Sequence, residues 1–154
     1  MKRFLFCVAT ALLAGSTGAC TKEGAGPAEV SGTEIYGEWD WVHSVGGIAG
    51  LTYTPASTGV ATRWVFKTDG TFQEYDTQQG TTRLVQSTTF AIGSAGSIHT
   101  GQPAQTLIIN RQVPGPTPNT TSVQPVTYVI QGLGAQLVVA DNYADGFGST
   151  YQRR

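Results

Sequence analysis

The sequence predicts an all-β fold, an eight-stranded up-and-down antiparallel β-barrel, on three observations. Apolar and polar residues alternate over short segments, the period of a half-buried strand. Turn formers separate those segments, with 20 Gly and 7 Pro in 154 residues. Beyond the N-terminal region no segment carries a sustained 3.6-residue apolar period, so no substantial helix is expected there. Eight hairpin-linked strands would leave open edges, and closing the sheet removes them. A barrel of that size is just wide enough to be filled by side chains or to hold one small ligand.

The N-terminus reads as separate from the fold. Lys2 and Arg3 precede an apolar run of 11 residues, Phe4 to Ala14, which is short for a bilayer span and suited to a signal segment. The small residues of Gly15-Ser16-Thr17-Gly18-Ala19 run up to Cys20 and resemble the lipobox of bacterial lipoproteins. That resemblance implies that residues 1–19 are a lipoprotein signal peptide and that Cys20 carries the lipid; the alternative is ordinary secretion with cleavage near Ala19. Residues 20–33 form the lipidated Cys and a Gly/Ala/Pro/Glu-rich flexible linker, and 34–154 form the barrel domain. Cys7 leaves with the signal, so the domain has no thiol and no cysteine metal site. Removing two of nine basic residues leaves seven against ten acidic ones, a formal net charge of −3. That balance argues against nucleic acid as a partner, and no polybasic patch exists for anionic lipid.

The first strand is expected over 34–45, with Trp39, Trp41 and Val45 on one face and Glu38, Asp40 and Ser44 on the other. The long loop 46–60 follows. Gly47, Ile48, Gly50, Leu51 and Tyr53 read as a lid whose apolar members tuck onto the barrel mouth, or as a self-packed Ω-loop. Residues 61–67 and 71–77 flank Asp69-Gly70, a strong hairpin signal because Gly accepts positive φ. Phe72 and Tyr75, three apart, do not share a face unless a bulge intervenes. The next strand, 81–92, puts Leu84, Phe90 and Ile92 in one phase, and 93–101 reads as a polar loop. A strand over 104–111 leads to Val113–Pro118, whose three prolines predict an exposed connection to about Ser122. Strands are expected over 123–131, with Val126, Tyr128 and Ile130 in phase, over 136–140 and over 147–153.

Five motifs together resemble the lipocalin-like lipoproteins of bacteria. They are Gly37-Glu38-Trp39, Gly46-Gly47-Ile48-Ala49-Gly50, Thr54-Pro55-Ala56-Ser57-Thr58-Gly59, Phe66-x-x-Asp69-Gly70-Thr71-Phe72 and the run from Asp145-Gly146-Phe147 to Arg153. The resemblance implies a barrel outside the cytoplasm, anchored at the outer membrane, on a side left open. It implies a small hydrophobic ligand only loosely. It also implies that Arg153 stacks on Trp39 and closes the barrel bottom.

Other chemistry reads weakly. His43 and His99 are not spaced as metal ligands, although His43 shares the phase of the tryptophans. Asp141–Gly146 superficially resembles a calcium loop, but Tyr143 stands where an oxygen ligand is needed, so a β-turn is expected and no metal. Glu38, Asp40, Glu74 and Asp76 read as solvent-face carboxylates. No nucleophile motif appears, so no enzyme and no cofactor is expected. Trp39, Trp41, Trp64, Phe66, Phe90, Tyr128 and Tyr151 are candidates to line a ligand cavity, and equally to be plain core. Two functions stay open: a monomeric carrier of a small hydrophobic molecule, or an interaction module with a filled interior whose loops make the contacts.

Overall fold

The computed structural model describes residues 32–115, 117 and 120–154. The expected signal peptide, Cys20 and the linker up to residue 31 lie outside the described residues. One turn of 3-10 helix, Gly32–Ile35, enters the fold. Nine strands follow: β1 (Gly37–Gly46), β2 (Leu51–Tyr53), β3 (Val60–Phe66), β4 (Thr71–Gln78), β5 (Thr81–Gly96), β6 (Pro103–Pro114), β7 (Thr121–Leu133), β8 (Gln136–Asp141) and β9 (Phe147–Arg153). One short helix, α1 (Pro55–Thr58), joins β2 to β3. All pairings are antiparallel, and β1 pairs with β9 from Trp39↔Arg153 to Gly46↔Phe147, closing an eight-stranded barrel of β1 and β3–β9. The three-residue β2 is an appendage on the upper end of β1.

Three bulges decide which side chains face inward. In β1 the register with β9 shifts between Trp41 and His43. One extra residue reverses the alternation beyond it. Trp39 and Trp41 point in, Ser44 points in after them, and Val45 is left 43% exposed. This overturns the expected faces of Ser44, Val45 and His43. His43 pairs with Thr150 on the outer face. In β5 the shift falls opposite Glu74/Tyr75, so Val85 is extra; Leu84 turns out to 49% exposure and Gln86 turns in. The third lies in β7 between Ile130 and Gly132.

Strand ends also differ from expectation where turn-forming residues pair after all. The expected first strand begins later, because the 3-10 turn occupies Gly32–Ile35 and Gly37 adopts φ +125°. Gly93–Gly96 pair with Pro103–Thr106, since backbone ladders need no side chain. Val113 and Pro114 remain in β6, paired with Ser122 and Thr121. Pro125 sits within β7 because β8 reaches only to Tyr128, leaving that stretch with one neighbour strand. The tip of the β5–β6 hairpin is tied to the β8–β9 turn: Ile98 N–H donates to Asn142 Oδ1 at 3.0 Å, and the Asp141 carbonyl accepts from His99 Nε2 at 2.8 Å.

The core fills the lower end. Ile35, Trp39, Phe72, Leu107, Ile109 and Leu137 are fully buried. Each large apolar side chain so buried contributes about 1.5–3 kcal/mol. Phe66 packs against Phe72 and Phe90 at 5.2 and 4.9 Å between centroids. Ile35 lies beneath the barrel, and its carbonyl accepts from Trp39 Nε1 at 2.7 Å. Arg153 covers Trp39 with its guanidinium carbon 4.1 Å from the ring centroid, and donates to the carbonyls of Tyr36 and Glu34. These contacts seal that end.

Candidate functional site

The upper half of the barrel is hollow. A cavity of about 420 Å³ opens there, walled by β1, β3, β4, β6, β7, the end of β8 and β9, and by the β8–β9 turn. Its floor is polar. Glu74, inward on β4 in phase with Phe72, is only 9% exposed. Four donors converge on its carboxylate: Trp64 Nε1 at 3.0 Å and Arg111 Nη2 at 3.3 Å on Oε1, and Gln86 Nε2 at 2.5 Å and Arg111 Nη1 at 2.9 Å on Oε2. Gln86 is fixed in turn, since its Oε1 accepts from Gln112 N–H at 3.1 Å. Every lone pair of the buried charge is thus engaged, the condition under which such a charge is tolerated.

Arg111 follows Leu107 and Ile109 in phase on β6 and reaches across the interior. Its guanidinium carbon lies 5.4 Å from the Trp64 ring centroid and 6.0 Å from those of Phe72 and Tyr128. Burial pulls its pKa down, but the summed pull of Glu74, Tyr128 and Tyr151 more than offsets this, and the pKa is raised. Its Nε has no hydrogen-bond partner. Tyr151 stacks on Trp64 at 4.2 Å between centroids. Burial pushes the Tyr151 phenol well above its ordinary value and Tyr128 upward too, so both stay protonated at neutral pH. Beside Tyr151, its partner across the β1–β9 ladder, Trp41 Nε1 donates to Ser44 Oγ at 2.9 Å, and Ser44 and Ser149 share a hydrogen bond of 2.7 Å.

The expected cavity residues divide. Trp41, Trp64, Tyr128 and Tyr151 line the cavity. Trp39 and Phe66 are packed in the sealed core. Phe90 lines a different cleft, of about 490 Å³, between the β3–β4 turn, β5 and Tyr36, where Asp69 is the one charged group among the described residues that line it. The expected lid takes another form. Leu51–Tyr53 pair with Ser44–Gly46 through a tight turn at Gly47–Gly50, and Ile48 projects into solvent at 91% exposure instead of tucking in. Leu51 is 49% exposed, and Tyr53 rests on Phe147 at 5.8 Å. Gly46 permits this crowded rim: a Cβ there would lie 2.3 Å from the Gly146 carbonyl oxygen.

Glu38 and Asp40 do face solvent, where both pair with Arg63, at 3.3 and 2.8 Å. Glu74 does not. Its spacing of two from Phe72 was the available signal, as was Arg111's spacing of two from Ile109. Asp141–Gly146 forms a turn in which Asp141 Oδ2 accepts Phe147 N–H at 2.8 Å. Among the described residues no group of His, Cys, Asp and Glu is placed to hold a metal ion. The fold and site together define an antiparallel eight-stranded barrel, sealed at one end and hollow at the other. No protein-family model matches this chain, and no curated protein is similar to it.

Proposed function

We propose that the chain is a lipocalin-like binding protein of the cell envelope, lipid-anchored to the outer membrane through Cys20. In this reading it is monomeric, uses no cofactor, catalyses nothing, and carries a small molecule in the open half of its barrel. The observation that supports the carrier role is the cavity of about 420 Å³, within the range of small-molecule sites and lined by aromatic rings over fixed polar groups. The polar floor refines the expected hydrophobic ligand: the guest has an apolar body and at least one hydrogen-bonding group.

Native mass spectrometry of the protein purified from its own host tests this. A co-purifying small molecule, released on unfolding, is expected; none across several growth conditions overturns the carrier reading. The anchor is tested separately, by incorporation of labelled palmitate into the native chain and its loss in Cys20→Ser. A second reading, an envelope interaction module, is favoured by the apolar hairpin tip, where Ile48 and Leu51 stand in solvent. An empty barrel together with a partner captured only when Ile48 is intact selects it.

A further inference from the structure

The charges around the cavity do not balance. Glu74 and Arg111 neutralise each other across two hydrogen bonds. Asp76 is held by Thr62 at 2.8 Å and faces Arg83 across the β4–β5 ladder. Asp141 is held by Phe147 N–H at 2.8 Å and by the Tyr143 hydroxyl, but its partner across the ladder is Tyr128, not a cation. Among the described residues it forms no salt bridge, and His99 meets its backbone carbonyl, not its carboxylate. The Asp141 charge reaches the interior, where it is among the influences that raise the Tyr128 and Tyr151 phenols.

Aromatic residues share the cavity with that charge. Tyr143 and Phe147 follow Asp141 around the β8–β9 turn, and Trp41 lines the same cavity. Ring faces carry the negative end of a quadrupole and attract cations. Arg111 already uses this on the floor, where it lies near three rings. Among the described residues no arginine or lysine is placed over the rings of Trp41, Tyr143 or Phe147.

We infer that the barrel selects a small organic ammonium: an aryl or alkyl body inserted toward Trp64 and Tyr151, with the cationic nitrogen at the rim between Asp141 and the rings of Trp41, Tyr143 and Phe147. This rests on the carrier reading above and adds the charge of the guest. A carboxylate of the same shape is repelled by Asp141 and finds both Nη groups of Arg111 engaged by Glu74.

Isothermal titration of the folded protein with three probes of similar shape tests the inference: 2-phenylethylammonium, 3-phenylpropan-1-ol and 3-phenylpropionate. The expected order is ammonium tightest, alcohol about tenfold weaker and carboxylate weaker still. Asp141→Asn, which keeps a side-chain oxygen for Phe147 N–H, brings the ammonium down to the alcohol and leaves the alcohol unchanged. Should that variant fail to fold, the order of the three probes on the native protein, and the weakening of the ammonium alone by added salt, decide the matter. A carboxylate that binds as tightly as the ammonium overturns the charge assignment while leaving a carrier in place. So does an ammonium preference that survives Asp141→Asn. If no probe binds, the inference falls, and the carrier reading is judged independently by what co-purifies.

Discussion

Trp39 and Trp41 lie two residues apart on one face of β1, yet they belong to different environments. Trp39 is fully buried, bonded to the Ile35 carbonyl below and covered by the Arg153 guanidinium. Trp41 is half-buried, bonds Ser44 and borders open space. The difference comes from what covers each end. A 3-10 turn and a terminal arginine close the lower opening, so everything beneath can be apolar. Among the described residues nothing comparable covers the upper opening, and the charged network around Glu74 beneath it is held by its own hydrogen bonds.

Breaking this contrast has graded consequences. Trp39→Ala is expected to have the largest effect, a loss of about 3–5 kcal/mol from a core that cannot collapse around the void. Trp41→Ala costs roughly half as much, because part of its surface is already wet; denaturant midpoints measure both. Glu74→Ala strands the Arg111 guanidinium without its counter-charge and destabilises by about 3–5 kcal/mol. Adding Arg111→Met to it recovers most of the loss, and a double-mutant cycle reads the coupling.

Arg153→Met removes the ring contact and the bonds to the Tyr36 and Glu34 carbonyls, at a cost of about 1–3 kcal/mol. Its effect belongs to the sealed end alone, so probe binding in the cavity stays unchanged. The open end has its own signature in alkali. Tyr128 and Tyr151 have raised pKa values in the folded state, so the unfolded chain releases those protons first. Stability is therefore full below the ordinary tyrosine pKa of about 10 and falls as pH rises above it. Tyr151→Phe makes that fall shallower in pH-dependent unfolding curves. The smallest effect is at the hairpin tip: Ile48→Ser shifts stability by less than about 0.5 kcal/mol, because Ile48 is 91% exposed.

Much of the barrel is readable from alternation and turns. The Asp69-Gly70 hairpin and the β9 segment lie where the pattern places them, and Trp39 with Arg153 occupy paired positions on β1 and β9. The interior is readable only as far as each bulge. An extra residue leaves no mark in the residue types around it, so His43 and Leu84, in phase with inward neighbours by counting, lie outside, while Ser44 lies inside against the count. Glu74 was hidden for another reason. A carboxylate on a strand is ordinarily on the solvent face, and only its partners, on β3, β5 and β6, make its burial possible. Trp64 and Gln86 stand directly opposite Glu74 on the neighbouring strands, so the register of two hairpins places them, whereas Arg111 comes from β6, a strand that does not pair with β4.

The most direct test is hydrogen exchange at the tryptophan indole N–H groups, followed by nitrogen-15 NMR on the folded protein. With one end sealed and the other hollow, the Trp41 N–H exchanges rapidly through the open mouth, and the Trp39 N–H exchanges only as fast as the whole barrel unfolds. Equal protection of the two, or faster exchange at Trp39, would contradict the asymmetry on which the binding site depends.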